Sequence, residues 1–169
     1  DEDLFIEYFN QHPEVKLIIA PHVIDENHLV EIIRKLKRPY VRYTRANEKN
    51  VRKADCLIID CFGLLSSIYR YGEIAYIGGG FGVGIHNTLE AAVYGIPVIF
   101  GPKYQKFQEA IQLLETKGAF SVKDYEELKT LLDRMLTDEV FLRESGMNAS
   151  NYVTSNAGAT DKIMSMINF

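Results

Sequence analysis

Residues 76 to 90 read Tyr-Ile-Gly-Gly-Gly-Phe-Gly-Val-Gly-Ile-His-Asn-Thr-Leu-Glu, and no other stretch limits the possible folds as much. The apolar run Ile74 to Ile77 predicts a strand covered on both faces, which implies parallel pairing. Gly78, Gly79, Gly80, Gly82 and Gly84 then allow a tight turn and close approach of a ligand, and a helix is expected from about Asn87. Strand, glycine loop and helix start together make a phosphate cradle, because the free N–H groups of a helix start carry partial positive charge. The spacing is neither GxGxxG nor GxxxxGK[ST]. Asn87 and Glu90 also have the spacing of a capping box, so capping and ligand binding both stand open. His86, beside the loop, is a candidate hydrogen-bond donor to a leaving phosphate, against the commoner reading of a packed or surface histidine.

The rest of the chain alternates strands and helices. Strands are predicted at 16–20, 40–43, 56–60, 74–77, 97–100 and 119–122, and helices at 3–11, 26–37, 64–71, 87–94, 105–116, 125–136, 138–153 and 159–167. Strands joined through helices of about ten residues must pair in parallel, which predicts a Rossmann-like, doubly wound α/β sheet. Ligands of such sheets lie beyond the carboxyl ends of the strands. Pro21-His22, Asp60 to Gly63, the Gly78 to Gly84 loop and Gly101-Pro102 all follow strand ends and are expected on one rim.

At 169 residues and 47% hydrophobic composition the chain suits a single domain with a real core, spanning 1–169. A net charge of −4 argues against a nucleic-acid partner. Basic residues nevertheless crowd between Arg34 and Lys53, either as a solvated face or as a surface for an anionic membrane or substrate. Cys56 and Cys61 lack metal-ligand spacing and read as reduced core cysteines. With no membrane-span pattern and no signal peptide, the chain is expected to be soluble and cytosolic. Its start on Asp1 suggests a piece of a longer protein.

His86-Asn87-Thr88-Leu89-Glu90-Ala91-Ala92, followed by Gly95-Ile96-Pro97-Val98-Ile99-Phe100-Gly101-Pro102 and Phe107, resembles the carboxy-terminal half of 3-deoxy-D-manno-octulosonic acid (Kdo) transferases, glycosyltransferases of the GT-B architecture. The family pattern has Gly-Gly-Ser where Gly78-Gly79-Gly80 stands and proline where Thr88 stands. Weaker matches are Ala20-Pro21-His22, with Glu26, and Asp60-Cys61-Phe62-Gly63-Leu64-Leu65. The family arginine before His22 is missing, Leu64 replaces an acid, and the glycine loop is about one residue shorter.

The resemblance implies transfer of Kdo from CMP-Kdo to a lipid A precursor at the cytosolic face of the inner membrane, with no bound metal and no cofactor. It implies that Gly79, Gly80, His86 and Asn87 meet the phosphate, that Glu90 holds ribose hydroxyls, and that Pro21, His22 and Gly63 line the cytosine and phosphate rim. The acceptor-activating base would lie on a missing amino-terminal domain, leaving this chain to bind donor without catalysing transfer. The helix predicted within 156–169 either packs on this domain or reaches the missing one. Two other readings stand beside this one: a donor domain of a UDP-sugar glycosyltransferase or UDP-sugar 2-epimerase, and a non-catalytic receiver-like domain with Asp60 as phosphoacceptor.

Overall fold

The computed structural model describes residues 1–158, so the helix expected at 159–167 lies outside the described residues. The described residues divide into two compact units, 1–72 with 123–131, and 73–122 with 132–158.

The first unit contains β1 (Leu17–Ile19), β2 (Tyr40–Arg42) and β3 (Cys56–Ile58), ordered β1-β3-β2 and all parallel. Leu17 and Tyr40 both register with Cys56. Helix α1 (Glu2–Gln11) and helix α2 (Glu26–Lys35) pack their apolar faces into its core. There Ile6 and Phe9 meet Leu29, Ile32, Ile19, Cys56 and Ile58. The Asp25 side chain accepts the His28 N–H at 3.0 Å and so fixes the start of α2. Burial pushes the Cys56 thiol up to about 12, so it is a core thiol, while Cys61 is only half-buried.

Arg38 closes the end of α1. Its guanidinium donates to the carbonyls of Phe9 and His12 at 2.8 Å and of Pro13 at 2.9 Å, and lies 4.0 Å over the Phe9 ring. A helix end leaves carbonyls without partners, and one fork of donors satisfies several at once. The polar stretch that follows β2 holds a 3-10 turn at Tyr43–Arg45 and a short helix, α3 (Glu48–Val51). The Asn47 and Asn50 side chains cap α3 reciprocally. Further on, the expected helix at 64–71 is a single turn, α4 (Leu65–Ile68), running into a 3-10 turn at Tyr69–Tyr71.

The second unit contains β4 (Ala75–Ile77), β5 (Val98–Phe100) and β6 (Ala119–Ser121), parallel and ordered β4-β5-β6. All three residues of β5 are fully buried, as the continuous apolar run at the centre of a parallel sheet requires. Between the strands run α5 (Leu89–Ala92) and α6 (Gln108–Glu115); α7 (Tyr125–Thr137), whose residues up to Leu131 belong to the first unit, and α8 (Glu139–Asn156) follow in the chain. The buried residues of α8 are Ser145, Gly146 and Ala149. A Cβ on Gly146 would stand 2.1 Å from the Gly95 carbonyl oxygen, and one on Gly118 would stand 2.7 Å from Ala149, so α8 meets its neighbours backbone to backbone. Gly95 itself has φ +71, the left-handed conformation expected after α5.

Candidate functional site

The glycine loop follows β4 and folds onto itself. The Gly79 carbonyl accepts from the N–H groups of Gly82 at 2.9 Å and Gly84 at 3.2 Å, and the Gly78 carbonyl accepts from His86 at 3.1 Å. Gly79 has φ +92, and a Cβ there would lie 2.2 Å from the Gly84 oxygen. Gly80 is packed against the loop after β5, where a Cβ would lie 2.5 Å from the Gly101 nitrogen. Lys103 N–H donates to the Gly80 carbonyl at 2.9 Å and ties the two strand-end loops together. These glycines therefore serve the chain's own packing before any ligand, and the N–H groups of Gly82, Gly84 and His86 point at backbone carbonyls rather than outward. The His86 side chain is exposed.

Helix α5 begins at Leu89, with Thr88 at its N-cap, two residues later than expected. Asn87 causes the delay: its side-chain oxygen accepts the Leu89 N–H at 3.0 Å, holding the chain in a local turn before the helix can start. The Asn87 amide donates to Glu90 Oε1 at 3.0 Å, so the two side chains meet each other and the reciprocal capping box does not form. A helix of one turn aligns too few peptide dipoles to present the partial charge expected of a longer one. What remains is a carboxylate held by one oxygen, a suitable acceptor for vicinal hydroxyls. Thr88 is 1% exposed, and its hydroxyl has no hydrogen-bond partner among the described residues.

The other expected residues belong to the first unit, where Pro21 follows β1 and Gly63 follows β3, neighbouring parallel strands. Pro21 is buried and His22 exposed. Gly63 has φ +86 with nothing within 4 Å of a Cβ, so its conformation rather than crowding calls for glycine. Thus Gly79, Gly80, His86 and Asn87 lie in one loop with Glu90 in the helix turn that follows it, and Pro21, His22 and Gly63 stand at the strand ends of the first sheet.

Beside those strand ends lies a polar cluster that sequence reasoning missed. Asp60 accepts from the Thr44 hydroxyl at 2.6 Å, the Thr44 N–H at 2.9 Å and Arg42 Nε at 2.8 Å. Arg42 Nη1 also meets both carboxylate oxygens of Glu26, at 2.8 and 3.0 Å. Burial opposes ionisation of Asp60, but the bonds from Thr44 and Arg42 outweigh it and bring the carboxyl down to about 2. With its side chain 1% exposed and both oxygens engaged, Asp60 is closed to a phosphodonor, which removes the receiver-like reading. The partners lie 16 to 18 positions apart, so only an expectation that neighbouring strand ends share polar partners would have found them.

No protein-family model matches the chain. It is 36% identical over 135 residues to the 3-deoxy-D-manno-octulosonic acid transferase of Aquifex aeolicus, a match covering 79% of this chain and 37% of that protein. It is also 29% identical over 164 residues to a bifunctional glycosyltransferase/methyltransferase of Fusobacterium nucleatum, covering 90% of this chain and 26% of the relative. Among solved structures, the C-terminal CMP-Kdo binding domain of WaaA from Acinetobacter baumannii matches with a TM-score of 0.76 at 19% identity, over 90% of this chain and 82% of that one. At that identity the match speaks for the fold. The chain spans between about a quarter and somewhat over a third of the length of these two curated relatives. Its fold is that of the carboxy-terminal domain of GT-B glycosyltransferases, and in sequence it is a homologue of part of the 3-deoxy-D-manno-octulosonic acid transferases.

Proposed function

We propose that this chain is the donor-binding portion of a glycosyltransferase that moves Kdo from CMP-Kdo to a lipid A precursor in lipopolysaccharide synthesis. The observation that carries the reading is the Asn87–Glu90 pair at the exit of the glycine loop, in a chain whose relatives are Kdo transferases. Glu90, steadied through one oxygen, receives the ribose hydroxyls on the other. The backbone at Gly79 and Gly80, with His86 and Asn87, meets the phosphate as negative charge develops on the departing nucleoside monophosphate. The base that activates the acceptor hydroxyl lies outside this chain, which binds donor without turnover.

The whole enzyme works at the cytosolic face of the inner membrane. Among the described residues no helix is long and apolar enough to cross a membrane. The cations of the 34–53 stretch that have no ion pair among the described residues, Arg34, Lys37, Arg45, Lys49, Arg52 and Lys53, provide the surface for anionic headgroups.

Calorimetric titration with CMP, UMP and AMP tests the reading. Selective CMP binding, lost in Glu90→Ala at an unchanged unfolding midpoint, supports a CMP-linked donor. A preference for UMP moves the assignment to a UDP-sugar glycosyltransferase or 2-epimerase.

A further inference from the structure

We propose that Lys103 is a donor-binding residue whose ammonium takes an anionic oxygen of the nucleotide phosphate. The inference rests on the reading that the glycine loop receives the nucleotide. No Lys or Arg occurs between Arg70 and Lys103, so the loop and the whole β4-to-β5 connection carry no fixed positive charge of their own. Lys103 is the first cation to follow, and the fold presses it against that loop. Its N–H donates to the Gly80 carbonyl at 2.9 Å, and its own carbonyl lies 3.9 Å from the place of a Cβ on Gly84. The surrounding turn is fixed. Gln105 donates to the Pro102 carbonyl at 2.8 Å, Phe107 N–H donates to the Tyr104 carbonyl at 2.9 Å, and the Phe107 ring abuts Gly84.

The side chain of Lys103 is exposed and has no ion pair among the described residues. Arg38 and Arg42, just before β2 and at its end, are already committed. Pro21 stands where the resembled family has arginine. The Arg42 guanidinium is neutralised by Asp60 and Glu26, and Arg38 is held by three carbonyls and Asp55. An ammonium on a flexible stem, anchored at its backbone and unpaired at its tip, can follow a phosphate as charge builds on it without transferring a proton. Lys103 thus supplies the positive charge that the loop itself lacks.

Titrations of the chain with CMP and with cytidine, in wild type, Lys103→Ala, Lys103→Arg and Lys117→Ala, test this. Lys117 is the control for net charge: the neighbouring Gly118 carbonyl bonds Val98 at the start of β5, the opposite end of that strand from Gly101. Lys103→Ala is expected to weaken CMP binding about tenfold and to flatten its salt dependence, with cytidine binding and the unfolding midpoint unchanged. Lys103→Arg should retain most of the CMP affinity, and Lys117→Ala all of it. A CMP-selective wild type whose Lys103→Ala variant keeps the CMP-to-cytidine ratio within about twofold overturns the inference alone. If the wild type prefers CMP neither to cytidine nor to UMP, the nucleotide reading falls and the inference falls with it.

Discussion

Arg42 Nε donates to Asp60 Oδ2 at 2.8 Å, joining the ends of two neighbouring parallel strands, β2 and β3, through side chains that are 14% and 1% exposed. Because Asp60 is depressed to about 2, below its ordinary 3.8, its stabilising effect is fully present above about pH 4 and fades as pH falls toward 2. Asp60→Asn is expected to cost about 2 kcal/mol at pH 7. Urea unfolding of both proteins from pH 6 to pH 2.5 should show the gap closing at the acid end as the wild-type carboxyl takes up its proton. A gap that stays constant contradicts the assignment.

Thr88→Val should be neutral or stabilising by up to about 1 kcal/mol, since a buried hydroxyl with no partner gives way to a methyl group of the same shape. The denaturant midpoint measures it, and a loss of more than about 1 kcal/mol would show that the hydroxyl has a partner after all.

Neighbouring glycines should respond very differently. Gly80→Ala forces a Cβ to 2.5 Å from Gly101 backbone and is expected to cost about 3 kcal/mol or more. Gly82→Ala meets only the Gly79 oxygen at 3.5 Å and should stay within about 1 kcal/mol. Thermal unfolding of the two variants side by side decides it, and equal losses would mean that the two strand-end loops are not in contact.

The basic stretch divides into structural and available cations, and the division can be measured. Arg38→Ala strands three carbonyls and is expected to cost about 3 kcal/mol, read from the unfolding midpoint. Reversing Lys49, Arg52 and Lys53 to Glu in the full-length protein should leave that midpoint nearly unchanged and reduce association with vesicles containing anionic lipid. Association that persists unaltered makes this face a solvated one.

Parallel pairing was legible because Cys56 to Ile58 and Val98 to Phe100 are apolar runs set between helical segments. The glycine loop was legible as a tight turn, but its inward-pointing N–H groups were not, since their acceptors are the loop's own Gly78 and Gly79 carbonyls and the spacing of glycines does not say which way such a turn folds. The start of α5 was misplaced because Asn87 has two local options, capping a helix or closing a turn, and the sequence does not rank them. Arg38 and Arg42 looked like members of one solvated run. Their carbonyl and carboxylate partners lie far along the chain, and only folding makes them neighbours.

The contact of α8 with Gly95 and Gly118 leaves no room for a side chain at either crossing. The helix is therefore keyed to one depth and one rotation, like a shaft with a single slot. A slip of one residue would carry Gly146 out of its crossing and bring Ser145 or Met147 to the Gly95 carbonyl, where no Cβ fits. Helix α8 is thus held against sliding along its neighbours.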